Sequence, residues 1–365
     1  MTQFDGPKLT VYLDRIVENY NRLRAQFSGD ECAAVVKANA YGLGAEEVSL
    51  ALAKAGCNSF FVATLEEGIA LRKILPDRRI AVFHGVGAGE ELAFINHQLI
   101  PALNSPKQIE RWAQVAGDHS NAPSILHVDT AMARLGLTEH EWNALAQTPE
   151  LIEKCQMSAI MSHLACASEP QHPSNAMQLE LFNKARTCFP ELPASFANSA
   201  GIYLDNAYHF QLARPGCSLY GITPNADLPN PLLNVVELSA PVIQIRTLDR
   251  TQAIGYGATQ ELREGACLAT VAIGYADGIF RSLSGKLHGY IGEYKVPLAG
   301  RVTMDMLCFD VSAVPQGALE NANRITLIND IQTVDDIADM VGTIGYEVFC
   351  RLGRRIQRHY VGDAA

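Results

Sequence analysis

Lys37 ends an apolar run and stands directly before a glycine-containing turn, in the segment AAVVKANAYGLG (33–44). An amine at such a position is either a solvated surface group or a nucleophile that condenses with a carbonyl. Polar residues follow other apolar runs of the chain in the same way: His84, Arg134, His163, Asn198, Ser199 and Arg214. If these runs are parallel strands, the side chains meet at one mouth and predict a catalytic site.

Each of these residues also has an ordinary structural explanation. His163 fits a hydrogen-bonded core histidine, and Arg134 fits a helix cap or a partner of Asp129. The catalytic interpretation rests on their convergence, because a chance distribution of polar residues would not place one at the end of most strands.

The segment ARPGCSLYG (213–221) predicts an anion site. Gly216 follows the last apolar run, where exposed N–H groups and a short helix N-terminus bind phosphate in barrels. Ser199 adds a hydroxyl after the preceding run. A phosphate on one wall and the Lys37 amine on another predict a phosphorylated aldehyde, with pyridoxal phosphate as the candidate.

The elements that must position these residues are eight apolar runs alternating with helical patterns. The runs are CAAVV (32–36), FFVA (60–63), IAVF (80–83), LIPAL (99–103), SILHV (124–128), MSAIMSHL (157–164), ASFAN (194–198) and HFQLA (209–213). This alternation predicts an α/β fold, an eight-stranded parallel βα barrel of the TIM type over residues 8–233, in preference to an open doubly wound sheet.

The pattern changes after residue 233, where runs alternate between apolar and polar positions with little helix between them. Residues 234–365 are therefore expected to form a mainly antiparallel β domain. Residues 1–14, which include the strand-like TVYLD, are candidates to join it. One late helix is predicted over 333–342, with Thr333 as N-cap and Gly342 at its end.

Composition narrows the function classes. The formal net charge of −10 argues against nucleic acid as a partner, because nucleic-acid binding needs a basic surface. Nine scattered cysteines without a C-x-x-C pair predict free thiols and no metal site. We expect a cytoplasmic protein with no membrane partner, because the chain shows neither a signal-peptide pattern nor a long apolar run. GVGAGE (85–90) lacks the spacing of a dinucleotide site.

Eight motifs resemble, in order, those of the alanine racemase family. They are KANAYGLG, DTAMARLG, SHLA, ANSAG, RPGCSLYG, IGYGAT, IGYADG and GRVTMDM. The resemblance implies a homodimer with shared active sites, dependent on pyridoxal phosphate. It also implies interconversion of L-alanine and D-alanine, either for peptidoglycan synthesis or for L-alanine breakdown.

The resemblance further implies roles for individual residues. Lys37 and Tyr256 resemble the two catalytic bases, with Lys37 also carrying the cofactor and Tyr256 reaching it from the second subunit. Implied cofactor contacts are Tyr41, Ser199, Gly216 and Cys217 at the phosphate, His163 beside the ring, Arg214 at the pyridine nitrogen, and Asn198 next to Ser199. Implied substrate contacts are Arg134 and Met304 at the carboxylate and Tyr275 at the entrance. From the residues alone, Tyr256, Met304 and Tyr275 fit packing positions equally well.

Three positions depart from the family pattern. His127 stands where a lysine, often carbamylated, is usual, so Arg134 is held either by neutral His127 or by a bound anion. Ala131 replaces a glycine, and Arg354 replaces a tyrosine that contacts the phosphate in some members.

Two other activities fit the same motifs. One is racemisation of serine or another small amino acid, and the other is a pyridoxal-phosphate-dependent decarboxylation on the same architecture, which would release carbon dioxide. A non-catalytic cofactor carrier is a third class, but it leaves residues 233–365 unexplained.

Overall fold

The chain forms two units, which are described separately. The computed structural model describes residues 6–225 and 229–362. One unit contains Leu13–Leu233, and the other contains Asn234–Gly362 together with the first strand, β1 (Lys8–Tyr12).

The unit Leu13–Leu233 is built on parallel strands that are apolar along their length. Seven of them form a sheet in chain order from β3 to β9. The strands are β2 (Glu31–Cys32), β3 (Ala34–Val35), β4 (Ser59–Val62), β5 (Arg79–Val82), β6 (Ile100–Leu103), β7 (Ser124–His127), β8 (Met157–Met161), β9 (Ala194–Ser195) and β10 (Leu212–Ala213). Every residue of β4 and β7 is buried, as expected for strands covered on both faces.

The last strand, β10, joins the two edges of this sheet. It pairs in parallel with β2, which continues into β3 after a break at Ala33. On its other side, Arg214 forms a parallel bridge with Asn198 just beyond β9. The predicted eight-stranded barrel is confirmed, with β9 and β10 reduced to two residues each.

Helices alternate with these strands, and some of them begin at side-chain caps. The side chains of Thr64, Ser105 and Thr138 accept N–H groups at the starts of α4, α6 and α7. The helices are α1 (Leu13–Gln26), α2 (Lys37–Tyr41), α3 (Ala45–Lys54), α4 (Leu65–Ile74), α5 (Glu91–Asn96), α6 (Pro106–Ala116), α7 (Glu139–Leu145), α8 (Pro149–Lys154) and α9 (Pro173–Cys188). Short 3₁₀ helices span Gly201–Tyr203, Asn206–Tyr208 and Cys217–Tyr220.

The second unit is a mainly antiparallel β structure, as predicted. Its strands are ordered β14-β17-β16-β15-β18-β11-β1-β19, and a further pairing of β14 with β11 closes six of them into a barrel. Only β1 and β19 pair in parallel among the described strands of this sheet. The strands are β11 (Val236–Thr247), β12 (Gln252–Ala253), β13 (Glu261–Leu262), β14 (Cys267–Val271), β15 (His288–Ile291), β16 (Tyr294–Ala299), β17 (Leu307–Asp310), β18 (Arg324–Ile328) and β19 (Gln357–Val361).

The helices of this unit are short. They are α10 (Gln316–Glu320), α11 (Val334–Val341) and α12 (Gly345–Arg351), with 3₁₀ helices at Tyr256–Ala258, Tyr275–Asp277 and Arg281–Leu283. The predicted late helix is α11. Its N-cap is Thr333 and its C-cap is Gly342, which has a φ of 74°.

Candidate active site

A cavity of about 380 Å³ lies at the carboxyl-terminal ends of the barrel strands. Its lining residues are Lys37, Ala63, Phe83, His84, His127, Arg134, Leu135, Met161, His163 and Arg214. Five of the polar residues predicted to converge are therefore in one place. Among the described residues, this lining contains no aspartate or glutamate, so the cavity favours an anionic ligand.

A cleft of about 430 Å³ elsewhere in the same unit is less suited to chemistry. One of its lining cations, Arg72, donates hydrogen bonds to five backbone carbonyls, those of Leu75, Pro76, Arg78, His97 and Gln98. A guanidinium used in this way holds loops together rather than binding a ligand.

Lys37 enters the cavity from a left-handed turn. The four residues after it, Ala38 to Tyr41, all have φ between 51° and 56°, although none is glycine. The turn closes through hydrogen bonds from the amide of Ala40 to Val36 and of Gly42 to Ala38, each 2.8 Å long. The Lys37 Nζ lies 5.8 Å from the centroid of the Phe83 ring. Left-handed backbone costs about 1–2 kcal/mol per residue, so this turn is maintained by its surroundings.

The same turn brings Tyr41 against Gly216. A Cβ on Gly216 would lie 2.3 Å from the Tyr41 hydroxyl oxygen, so only glycine leaves room for that hydroxyl. The Ser199 hydroxyl oxygen accepts hydrogen bonds from the amides of Gly216 (2.9 Å) and Ser218 (3.3 Å). Because the Ser199 hydroxyl oxygen accepts both contacts, its O–H group can still donate a hydrogen bond to a ligand. Cys217, buried here, begins the 3₁₀ helix that follows Gly216.

Asn198, the residue before Ser199, hydrogen-bonds two neighbouring loops. Its amide nitrogen donates to the carbonyl of Leu164 (3.1 Å), and its amide oxygen accepts the N–H of Gly201 (2.9 Å). The side chain is thereby committed to joining two loops.

Arg214 is buried and has a fixed orientation. Its guanidinium donates to the hydroxyl of Ser195 and, over 2.5 Å, to the carbonyl of Ser162. Its Nε has no hydrogen-bond partner among the described residues, although that atom is buried. Burial lowers the pKa of Arg214 to about 10, so the group remains a cation at neutral pH. A buried cationic donor without a partner is costly unless a ligand acceptor completes it.

His163 is held through its backbone by Gln178, which is fully buried. The amide nitrogen of Gln178 donates to the carbonyl of His163 (3.0 Å), and its oxygen accepts the N–H of Ala165 (2.9 Å). Burial, with the positive charges of Arg214 and Arg134, lowers the pKa of His163 well below its usual range. The imidazole is therefore neutral at physiological pH.

His127 is the last residue of β7 and is oriented by Asn104. The amide nitrogen of Asn104 donates to the carbonyl of Phe83 (2.9 Å), which leaves its oxygen 2.6 Å from Nδ1 of His127. Nδ1 is thus assigned as the donor, and Nε2 keeps its lone pair. Burial and the charges of Arg214 and Arg134 lower the pKa of His127 to about 3.

Arg134 projects from a loop that Asp129 organises. The Asp129 carboxylate accepts the amides of Met132 (2.9 Å) and Ala133 (3.1 Å), so it does not pair with Arg134. No acceptor among the described residues hydrogen-bonds the Arg134 guanidinium, which lines the cavity and is exposed. Ala131, at the usual glycine position of the family, has a φ of 73°.

The remaining predicted residues belong to the other unit and are exposed. Tyr256 has 75% of its surface accessible, Met304 53% and Tyr275 41%. The Tyr275 and Met304 loops are tied together, because the amides of Tyr275 and Ala276 donate to the carbonyls of Thr303 and Met304. Arg354 is also exposed.

Arg355 reinforces the same two loops. It donates to both oxygens of the buried Asp277 (2.7 and 2.9 Å) and to Asp305 (2.8 Å). Such a bidentate contact restricts the orientation of both loops.

Several residues of the site were not identified from the sequence. Gln178, Asn104 and Ser195 hold His163, His127 and Arg214, respectively, across 15 to 23 residues of chain. Gln178 lies in α9, Ser195 ends β9 and Asn104 follows β6, and none belongs to a motif, so a single sequence gives no signal for them.

Residues 6–225 and 229–362 contain no helix long and apolar enough to cross a membrane. Nor do those ranges contain a group of three or more histidine, cysteine or acidic side chains arranged to hold a metal ion.

The mouth of the parallel βα barrel contains a lysine, two arginines and three histidines, and an antiparallel β unit follows the barrel in the chain. These features define a lysine-dependent enzyme that acts on anionic ligands. The chain belongs to the alanine racemase family. It matches the N-terminal domain of that family over residues 11–224 and the C-terminal domain over residues 235–360.

Its relatives are similar over nearly their whole length. An alanine racemase of Rhodospirillum rubrum is 46% identical, covering 97% of this chain and 96% of that protein. A protein of Agrobacterium fabrum named alanine racemase, catabolic, is 43% identical, covering 97% and 92%. A crystal structure of alanine racemase from Bartonella henselae, described with covalently bound pyridoxal phosphate, is 38% identical, with a TM-score of 0.91 and coverage of 98% and 99%.

Proposed function

We propose that this protein is an alanine racemase that carries pyridoxal phosphate on Lys37 and interconverts L-alanine and D-alanine. The observation that carries the proposal is the unpartnered Nε of Arg214 in the cavity that also contains Lys37. A buried cationic donor and a lysine amine in one cavity fit a ligand with a ring acceptor and a carbonyl group.

The residues present fit this cofactor at both of its ends. Ser199 and Tyr41 place hydroxyl groups at a corner beside Gly216, where a phosphate would be held. Arg214 provides the donor for a ring nitrogen. Because it keeps its protons at neutral pH, Arg214 can hydrogen-bond that nitrogen without protonating it.

The bound cofactor supplies a sink for the negative charge that develops when the α-proton of an amino acid is removed. The chain supplies the proton transfers. Lys37 and Tyr256 act as bases on opposite faces of Cα, so that one removes the proton and the other returns one. Arg134, for which the described residues provide no acceptor, binds the substrate carboxylate. Met304 is proposed as a second contact of that carboxylate and Tyr275 as a residue of the site entrance.

The active form is proposed to be a homodimer in which Tyr256 serves the site of the partner subunit. The lining residues of the cavity all belong to Leu13–Leu233, while Tyr256 lies in the other unit with 75% of its surface accessible. An exposed tyrosine in the same unit as the exposed Tyr275 and Met304 fits a surface that another subunit covers. We place the enzyme in the cytoplasm, where its product serves peptidoglycan synthesis or its substrate is broken down.

Proton NMR in heavy water tests this function. Incubation with pyridoxal phosphate and L-alanine should exchange the α-proton for deuterium and produce D-alanine, which a D-amino-acid oxidase detects. Exchange with L-serine at a higher kcat/KM than with L-alanine would overturn the substrate assignment. Release of carbon dioxide without D-alanine would overturn the reaction type.

A further inference from the structure

The left-handed turn after Lys37 needs an external support. Four successive non-glycine residues, Ala38 to Tyr41, lie in the left-handed region. Left-handed backbone is unfavourable at each of these residues, and four in succession oppose a substantial part of the stability of a domain. Contacts from outside the turn must therefore favour it over right-handed alternatives.

Glu67 provides such a contact from the neighbouring strand–helix connection. Its Oε1 accepts the N–H of Ala38, the first residue of the left-handed stretch, over 2.6 Å. That N–H belongs to the peptide that begins at the Lys37 carbonyl carbon. The contact thus holds the peptide group that directly follows the Cα of Lys37.

The other oxygen of Glu67 has a separate task. Oε2 accepts the amides of Ala63 (2.8 Å) and Thr64 (3.4 Å), and the Thr64 hydroxyl accepts the N–H of Glu67 (3.3 Å). This reciprocal pair is a capping box at the start of α4. One carboxylate therefore joins the loop after β4 to the loop after β3.

Two other capping boxes show that the second contact is not needed for the cap. In α7, Glu141 accepts from Thr138, and in α11, Asp336 accepts from Thr333. In α11 the shorter aspartate completes the box without reaching another strand–helix connection. The contact of Glu67 with Ala38 is thus additional to what the helix requires.

We propose that Glu67 is a positioning residue for Lys37: its carboxylate stabilises the left-handed turn and so orients the cofactor lysine. This inference rests on the proposed function, because it assigns the orientation of the lysine that carries the cofactor. Hydrogen bonds to a carboxylate are about twice as strong as neutral ones, so one such contact is significant for a strained turn.

The most selective variant is Glu67→Asp. Aspartate keeps the charge and can complete the capping box, as Asp336 does, but it is one methylene too short to hold Ala38 as well. Glu67→Gln is the second variant, because it keeps the length and removes the charge. Two matched controls are Glu66→Gln, which removes a charge from the exposed adjacent position, and Asp336→Asn, which weakens a capping box in the other unit.

The first measurement is the equilibrium dissociation constant of pyridoxal phosphate. It is obtained by titration, with the visible absorbance of the lysine-bound cofactor as the signal. We expect Glu67→Asp and Glu67→Gln to raise this constant about tenfold or more, the equivalent of one charge-assisted hydrogen bond. At saturating cofactor, kcat for L-alanine should fall while its KM changes little. Both controls should keep the wild-type dissociation constant and kcat.

Each outcome decides between explanations. If both Glu67 variants retain the wild-type dissociation constant and kcat, and lose only unfolding free energy as Asp336→Asn does, the positioning role is wrong. If Glu67→Gln fails to fold, Glu67→Asp alone decides by the same criteria. If the wild-type protein itself develops no lysine-bound absorbance, the proposed function fails, and this result is distinct from a failure of the Glu67 variants.

Discussion

At the scale of single residues, the candidate site has less positive charge than its residue types allow, because two of its histidines are neutral. His127 and His163 lie close enough to Arg214 and Arg134 for those cations to lower both pKa values, in addition to the effect of burial. The charge that remains for an anionic ligand is therefore concentrated on the arginines and Lys37.

The neutral state of His127 predicts a pH dependence of stability. Its folded pKa of about 3 lies below the unfolded value, so the unfolded chain binds the extra proton as pH falls below about 6.5. The contribution of His127 is therefore complete above about pH 6.5 and is lost as pH falls towards 3. His127→Gln should reduce the slope of unfolding free energy against pH by at most about 1.4 kcal/mol per unit between these limits.

Urea unfolding at several pH values, with cofactor concentration held constant, measures this slope. A slope for His127→Gln equal to that of the wild type would show that His127 is not a buried neutral group in the folded protein.

Gly216 gives a second prediction at this scale. Gly216→Ala places a methyl group against the Tyr41 hydroxyl, where the separation would be 2.3 Å. We expect the hydroxyl to be displaced and the affinity for pyridoxal phosphate to fall about tenfold, corresponding to one hydrogen bond of about 1.4 kcal/mol. The dissociation constant can be measured by fluorescence or absorbance titration.

Gly317→Ala is the matched control for this substitution. A Cβ there meets no atom within 4 Å apart from its own helix backbone and chain neighbours, so cofactor binding should not change. Equal affinities of Gly216→Ala and Gly317→Ala would contradict the proposed phosphate corner.

At the scale of elements, the sequence predicted the order of the strands better than the geometry of the turns. The apolar runs located all eight barrel strands, and Thr333 with Gly342 marked both ends of α11. The segment KANAY gave no indication of a left-handed turn, because it contains no glycine and its residues favour right-handed helix. The contact of Glu67 with Ala38, which we propose stabilises this turn, joins residues 29 positions apart and cannot be derived from local pattern.

The left-handed turn predicts an unusual effect of glycine. Ala38→Gly relieves backbone strain at a φ of 52°, and this gain offsets the greater entropy of glycine in the unfolded chain. Ala70→Gly, at an exposed position within α4, gains nothing of this kind and should cost about 0.5–1 kcal/mol.

Chemical denaturation of the two variants provides the comparison. Ala38→Gly should lose less unfolding free energy than Ala70→Gly, or gain some. A larger loss for Ala38→Gly would mean that the backbone there is not left-handed in solution.

At the scale of the whole molecule, the sequence predicted which residues share the barrel mouth but not how they are held. Lys37, His84, Arg134, His163 and Arg214 line one cavity because parallel strands end on the same side. Their supports, Gln178 and Asn104 among them, depend on packing between distant segments. The proposed action of Tyr256 at the site of a partner subunit depends on assembly, which one chain does not contain.

Mixing inactive subunits tests the proposed sharing of sites. Lys37→Ala lacks the proposed cofactor lysine, and Tyr256→Phe lacks the proposed second base. If Tyr256 serves the partner, a mixed dimer has one site with both residues intact and one with neither. After subunit exchange, verified with differently tagged chains, up to about half of the sites in such dimers should be active. Verified exchange without recovery of activity would show that each subunit uses its own Tyr256.

The identity of the lysine that carries the cofactor can be measured directly. Sodium borohydride, added to the protein loaded with pyridoxal phosphate, reduces the carbon–nitrogen bond between cofactor and lysine and makes it permanent. Proteolysis and mass spectrometry should then locate the added group on the peptide containing Lys37, and Lys37→Ala should carry none there. A group found on another lysine, with Lys37 unmodified, would contradict the assignment of this cavity as the active site.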